Sequence, residues 1–375
     1  MIIGFATFLS KAFVLVLPFL LIPVEYNEFN TIYYPLSLII IIAGFGFEFS
    51  YPHCNISLLK LLTAVTVNVT IVASALILTG VLNTDPVTVI LIILAAVAGI
   101  SVSVTSFHML FHGNIKSYGI LQITFHGVII VLFPVINQFE GSPFFFYVLL
   151  KTAAALIVFL LIKNNLKRRG NEILKLYTFG FNAMVINGLF TVILSINHIL
   201  AVKLFSVDSG NNIILSWIFA IPLLYLSGIF EKVLYNSNDL REKIINWSTW
   251  NLSLMIFYTL GLVVFMNWFG NFLPASADTT LLARFIPVIL PAIFLYSIFN
   301  ALLNAYVFRT LDYKYQSRIV AGYLGILLIF LSLAILMGNK IILISEIELT
   351  IFSTIAIMLS ILVKSVFSIQ YFRKN

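Results

Sequence analysis

Charge is what this sequence has least of. Asp, Glu, Lys and Arg make up 9% of its 375 residues, against roughly 25% in a soluble domain. Hydrophobic residues make up 61%, which leaves too few polar side chains to cover a water-facing surface. Cysteine is nearly missing as well. Cys54 stands alone, which excludes an internal disulfide and a cysteine-rich metal centre. HExxH, GxSxG and phosphate-loop patterns do not occur, so the sequence offers no zinc protease, serine hydrolase or nucleotide-driven pump. No cofactor or resident metal is expected, and the chain reads as a non-enzyme. Acidic residues are outnumbered, 14 Asp+Glu against 21 Lys+Arg, for a net charge of +7. In a soluble protein that excess would suggest nucleic acid. Here the basic residues lie between apolar runs, so membrane topology accounts for them and no nucleic-acid partner is expected.

What the chain does have is apolar length. A spanning helix needs about 20 apolar residues, and twelve runs meet that need: 2–23, 31–50, 58–82, 87–111, 117–137, 143–163, 176–202, 213–235, 246–269, 281–308, 318–338 and 349–370. None alternates with period two, which excludes transmembrane strands. The first run has no basic residues before it and no small-residue cleavage site, so it is expected to stay as a helix. The longest polar connection, from Lys163 to Lys175, carries Lys167, Arg168, Arg169 and Gly170 and follows the sixth run. The expected fold is therefore all-α and polytopic, about twelve helices in two six-helix lobes. Residues 1–163 form the first lobe, 164–175 a basic cytoplasmic linker and 176–375 the second, a six-plus-six division that suits an internally duplicated transporter.

With the N-terminus in the cytoplasm, cytoplasmic connections and helix ends collect Lys60, Lys116, Lys167, Arg168, Arg169, Lys232, Arg241, Arg309 and Arg318. The other side holds Lys203 and Lys340, with Arg284 near the same edge, beside Glu25, Glu28, Asp85, Asp278, Glu346 and Glu348. This bias predicts both termini inside. No outer connection is long, which argues against a membrane polysaccharide polymerase or glycosyltransferase.

Polar residues fall at helical spacing within several runs. Thr63, Thr66, Thr70 and Ser74 share a face of the third, Asn187, Thr191, Ser195 and His198 of the seventh, Gln122 and His126 of the fifth, and Ser297, Asn300 and Asn304 of the tenth. Lipid supplies no hydrogen-bond partner, so such faces serve either as glue between helices or as cavity lining. Full charges are rarer. Lys11 and Lys151 lie near mid-run, where a charge costs about 3 kcal/mol on insertion scales. They either snorkel or face water or an anion. Lys364, Glu48 and Arg284 lie nearer helix ends, where interfacial placement is expected. Gly44-Phe45-Gly46 lies in an apolar run and is expected to aid close packing. His108 and His112, four residues apart, read as interfacial polar residues. Mid-membrane cations with amides suit an anionic passenger such as a lipid phosphate.

Three stretches carry a family resemblance: LPFLLIPVEYNEFNTIYYPLSLIIIIAGFGFEFS at 17–50, LKLYTFGFNAMVINGLFTVILSINHILAVKLFS at 174–206, and PAIFLYSIFNALLNAYVFRTLDYKYQSRI at 291–319. The sequence resembles the O-antigen and capsule repeat-unit flippases, the polysaccharide-transport branch of the multidrug and oligosaccharidyl-lipid exporter superfamily. It departs from their pattern at Asn30, where glycine is usual. It departs again at Asn197-His198, where the seventh helix usually ends in an acidic–basic pair, so no charge role is carried over there. The resemblance implies a bacterial inner-membrane protein that moves an undecaprenyl-diphosphate-linked oligosaccharide between leaflets by alternating access. Lys11, Lys151 and Arg284 would meet the diphosphate. Asn187, Asn300 and Asn304 would meet sugar hydroxyls, with His198 a further cavity candidate. Membrane lipids, a polymerase and a chain-length regulator are the implied partners in O-antigen and lipopolysaccharide biosynthesis. A drug or cation exporter of the same superfamily is the other transport reading.

Overall fold

The structure is a computed structural model that describes residues 2–82, 84–139, 141–162, 170–235, 253–254, 256–265, 273–275, 277–310 and 313–372. Helices account for nearly all of them: α1 (Ile2–Leu20), α2 (Pro23–Gly44), α3 (Phe47–Ser50), α4 (Leu58–Leu78), α5 (Pro86–Phe111), α6 (Ile115–Ile136), α7 (Pro143–Ile162), α8 (Ile173–Leu204), α9 (Val207–Tyr235), α10 (Ile256–Phe265), α11 (Thr279–Thr310), α12 (Tyr313–Gly338) and α13 (Glu346–Phe372). Among the described residues 11 helical segments are long and apolar enough to cross a membrane, so the protein is multi-pass. Of the twelve runs expected, 246–269 is represented by the short apolar α10, the rest of it lying outside the described residues.

Local chemistry sets the helix ends. Asp85 caps α5, its Oδ1 accepting from the N–H groups of Val87 at 2.9 Å and Thr88 at 3.0 Å, with Pro86 at the first helical position. Asn114 caps α6 through Ser117 N–H at 3.1 Å, and Asp278 caps α11 through Thr280 N–H at 2.7 Å. Ser345 and Glu348 form a reciprocal box at the start of α13. Ser345 N–H donates to Glu348 Oε2 at 2.7 Å and Glu348 N–H to Ser345 Oγ at 3.4 Å.

Two boundaries differ from the sequence reading. The second span starts at Pro23 rather than 31, because Pro23 and Glu25 are good first-turn residues and the polar Asn27, Glu28 and Asn30 continue the helix. It also ends earlier. Phe45 (φ 49°) and Gly46 (φ 63°) turn left-handed, and the chain resumes as α3 and a 3₁₀ turn at Tyr51–His53. Gly44-Phe45-Gly46 thus breaks the helix instead of lying inside it.

By packing, the chain forms two compact units. Unit 1 comprises Met1–Phe13 with Phe29–Ser195, and unit 2 comprises Val14–Glu28 with Ile196–Asn375. In unit 1, α5 packs against α3, α4, α6 and α7. Its core includes Ala95, Ala96, Val102, Val104, Phe133 and Val158. An aromatic cluster of Phe13, Phe29, Tyr33, Phe133 and Tyr147 joins α1, α2, α6 and α7. Within it Phe13 stacks on Tyr147 at 5.0 Å and meets Phe133 edge-on at 5.1 Å. In unit 2, α11 packs on α9 and α13, and α12 on α13, around Trp217, Phe285, Ile289 and Phe330. The passage from one unit to the other falls within α8, at 195–196, C-terminal to the basic linker 164–175. Residues 163–169 of that linker lie outside the described residues.

Candidate functional site

The break after α2 opens a cavity inside unit 1. Its volume is about 150 Å³, and α2, α3, α5 and α8 line it, with Gly44, Glu48, Ser103, Asn187, Gly188 and Thr191 among its walls. Three contacts, from α4 and α8, hold the break. Gly46 presses on α8 so closely that a Cβ there would lie 2.6 Å from Met184 N. Gly188 leaves room for Ile41, whose Cγ2 would lie 2.9 Å from a Cβ. Asn68 on α4 donates from Nδ2 to Ala43 O at 3.2 Å while its Oδ1 accepts from Tyr177 Oη at 2.9 Å. One carboxamide thus ties α4 to the end of α2 and to α8. The Phe45 ring packs edge-on against Tyr177 with centroids 5.2 Å apart. A bulky residue with positive φ is strained, and here α4 and α8 hold the turn in place.

Glu48 is the charged group of this cavity. Its Oε2 accepts a hydrogen bond from Ser103 Oγ at 2.5 Å, and among the described residues it forms no ion pair. The sequence places Glu48 at an interfacial helix end. The fold turns it instead, through the left-handed pair before it, toward Ser103 on α5. Asn187, on α8, also lines the cavity, with both amide atoms buried and without a hydrogen-bond partner. Thr191 follows four residues on, on the same helix face.

The other sequence candidates lie apart from this cavity. Lys11 is exposed on α1. Lys151 is buried, with 6% of its surface exposed. Its Nζ donates to Tyr147 Oη at 3.1 Å and lies 5.2 Å from that ring's centroid. It packs over Gly99, where a Cβ would sit 3.0 Å from its Cε. Within unit 1 the Lys151 ammonium is therefore met by a tyrosine and a glycine notch. In unit 2, Arg284 is exposed near the start of α11, close enough to Asp278 for its charge to act on that carboxylate. His198 is buried, next to Asn197, whose Nδ2 donates to Ser353 Oγ at 2.7 Å. The side chains of Asn300 and Asn304 lie outside the described residues. Lys364 is buried, 2% exposed, so its ammonium does not snorkel out along the surface of α13. It sits on the inner side of α13, among that helix's packed positions.

The polar faces resolve differently. Thr63, Thr66 and Thr70 point outward on α4, and each donates to the carbonyl four residues back at 2.9 Å. Self-satisfied hydroxyls of this kind tolerate lipid without partners. Ser297 is glue, donating to Leu223 O at 2.9 Å. Tyr258 Oη likewise donates to Phe219 O at 2.5 Å, so side chains bond to α9 carbonyls on both sides of Pro222. The seventh run is divided, with Asn187 and Thr191 in the cavity of unit 1 and His198 in unit 2. His108 is buried and His112 exposed, their ring centroids 4.4 Å apart. Among the described residues no group of His, Cys, Asp and Glu could hold a metal with three or more of these side chains.

No family model matches the sequence, and no curated protein matches it by sequence. The fold does have solved counterparts. A MATE transporter crystallised in complex with MaD5 is similar over 100% of this chain and 95% of its own, with a TM-score of 0.61 and 15% identity. An outward-facing multidrug resistance MATE family transporter of the MOP superfamily is similar over 100% and 95%, with a TM-score of 0.57 and 15% identity. A MOP superfamily transporter from Pyrococcus furiosus, described as having a binding pocket of reverse polarity, is similar over 98% and 93%, with a TM-score of 0.51 and 13% identity. The fold is thus the two-lobed, all-helical fold of these transporters.

Proposed function

We propose that the chain is a transporter of the bacterial inner membrane with both termini cytoplasmic. It would carry an undecaprenyl-diphosphate-linked oligosaccharide, an O-antigen or capsule repeat unit, from the inner to the outer leaflet. On this reading two lobes, 1–163 and 176–375, rock about the linker 164–175, and the cargo passes to a polymerase and a chain-length regulator. No chemical step is required, in keeping with a transporter fold.

The observation that carries the reading is Lys11. It sits halfway along the apolar helix α1 and is exposed there. Lipid rejects such a charge at a cost of about 3 kcal/mol, whereas a diphosphate headgroup welcomes it. Lys151, buried against Tyr147, supports the reading less than its position in the sequence does. Arg284, Asn187, His198, Asn300 and Asn304 keep their proposed roles as further cargo contacts.

A second reading, export of a drug or other organic cation, is favoured by Glu48, a carboxylate in a cavity wall without an ion-pair partner among the described residues. Deleting the gene separates the two. The flippase reading expects lipid-linked repeat units to accumulate on the cytoplasmic leaflet. Wild type should restore surface glycan and Lys11→Ala should not. Intact surface glycan with new drug sensitivity would overturn the flippase reading in favour of the exporter.

A further inference from the structure

We propose that the end of unit 1 where α5 finishes and α8 begins binds the phosphate of an anionic phospholipid headgroup through His53, His112 and Lys175. This goes beyond the function proposed above and stands whichever cargo the chain moves.

Three elements bring basic side chains together there. His53 ends the 3₁₀ turn after α3 and is half-buried. Its ring centroid lies 4.4 Å from that of Phe111 at the end of α5 and 5.5 Å from that of Phe179 on α8. His112 follows Phe111 as the C-cap of α5 and is exposed. Lys175 is exposed one turn before Phe179, on the same face of α8. The charges of His112 and Lys175 both reach His53. Two imidazoles and an ammonium thus gather around Phe111 and Phe179. Each carries N–H donors, and such donors suit phosphate oxygens.

The charge balance of this end is positive. Glu172 lies 3.8 Å from Lys175, but its Oε2 also accepts the Asn55 N–H at 2.8 Å and so serves the loop before α4. The Lys175 side chain stays 51% exposed, which leaves ammonium donors for a further anion. The sequence that runs into Gly170 adds Lys163, Lys167, Arg168 and Arg169 and no acidic residue.

Apolar neighbours favour a lipid over free phosphate. Phe111 precedes His112 and Leu174 precedes Lys175, and both are exposed. They stand at the ends of helices long enough to cross a membrane, the level at which acyl chains give way to headgroups. Exposed carbon beside exposed positive charge matches a ligand that has both parts. A zwitterionic headgroup brings no net charge, so the preference is for an anionic one.

The test uses the full chain purified in neutral detergent and titrated with phosphatidylglycerol labelled on an acyl chain. Retained label gives the dissociation constant. Wild type should retain phosphatidylglycerol saturably and phosphatidylcholine about tenfold more weakly, the worth of one charge-assisted contact. His112→Ala and Lys175→Met should each weaken phosphatidylglycerol binding about tenfold. Both positions are exposed, so neither change threatens the fold. Lys203→Met at the other end of α8 and Lys60→Met at the start of α4 remove the same charge outside the cluster and should bind as wild type does. Equal retention of the two lipids overturns the proposal, as does wild-type binding by both cluster variants. A loss in Lys60→Met as large as in Lys175→Met would mean diffuse attraction to the whole surface and also overturns it. Inorganic phosphate should compete only weakly, and binding as tight as that of the lipid would overturn the lipid assignment.

Discussion

Gly46 and Gly180 bring the α2 break and α8 into backbone contact. The carbonyl of Gly180 stands where a Cβ on Gly46 would project, and Gly46 also takes φ 63°. Two penalties would fall on one substitution. An L-residue in the left-handed region costs about 1–2 kcal/mol, and overpacking a fixed backbone contact adds about 1–3 kcal/mol. Gly46→Ala should therefore destabilise unit 1 by about 2–5 kcal/mol. Gly80 has φ 68° but open space around it, so Gly80→Ala should lose only the first part, about 1–2 kcal/mol. Thermal unfolding of both variants in detergent checks the difference. Equal shifts would show that the contact with α8 contributes nothing.

The end of the basic linker is clasped to the loop before α4. Asn55 N–H donates to Glu172 Oε2 at 2.8 Å, Glu172 N–H donates to Asn55 O at 3.3 Å, and Gly170 N–H donates to Asn55 Oδ1 at 3.3 Å. Ile56 and Asn171 form an antiparallel bridge between them. The clasp fixes where α8 starts. It is exposed, so its hydrogen bonds are worth about 1 kcal/mol each at most, and the effect should be local rather than global. Glu172→Ala should speed hydrogen exchange at the Asn55 and Ile56 amides while leaving the α5 core protected. Unchanged exchange at 55–56 would show that the clasp does not order the loop.

How much of this could be read from the sequence depends on the distance over which each feature is set. Spans follow from local apolar length, so most helices fall where the runs do. Asn187 and Thr191 show their shared face through simple four-residue spacing. The start of α2 is hidden because Glu25, Asn27, Glu28 and Asn30 look like a loop to any hydropathy measure, although Pro23 and Glu25 are first-turn residues. Glu48 is hidden for another reason. Its burial against Ser103 comes from a partner 55 positions away, reached through a helix break that only Gly46 hints at. Lys151 is a third case. Its mid-run position is legible, but the Gly99 notch and the Tyr147 hydroxyl that receive it depend on how α7 meets α5. Position along the membrane can be counted from residues, whereas rotation about a helix axis is decided by packing.

Acid should weaken two helix starts. The Thr88 hydroxyl, then the Thr88 N–H, hold the Asp85 carboxyl below its usual range, and the Thr280 hydroxyl and N–H do the same for Asp278. A carboxyl depressed in the folded state stabilises it above the unfolded value of about 3.9. That contribution is lost as pH falls through the lower folded value. Asp85→Ala should therefore lower the unfolding temperature near neutral pH. Its gap to wild type should close below about pH 3.9. A gap that stays constant from about pH 7 to about pH 3 would show that capping at Asp85 does not depend on its charge.

Lys11 and Lys151 should part company on substitution. Lys151 lies in a fitted place between Tyr147 and Gly99, and its positive charge there is desolvated without an acidic partner among the described residues. Replacing a buried charge by an apolar side chain of similar length is often neutral or stabilising. Lys151→Met should therefore hold stability within about 1 kcal/mol and, if the ammonium does not touch cargo, should leave surface glycan at wild-type levels. Lys11 is exposed midway along α1, and substitutions at exposed positions usually change stability by about 0.5 kcal/mol or less. Lys11→Ala should leave the unfolding temperature nearly unchanged and yet reduce surface glycan severalfold, because it removes the charge proposed to meet the diphosphate. Lys11→Arg should restore much of the glycan, since a guanidinium binds phosphate at least as well as an ammonium. The measurement is glycan density on complemented deletion cells, normalised to the amount of protein in the membrane. Loss of glycan in Lys151→Met with full activity in Lys11→Ala would move the headgroup contact from α1 to α7. Full activity in both would remove cationic recognition from the mechanism.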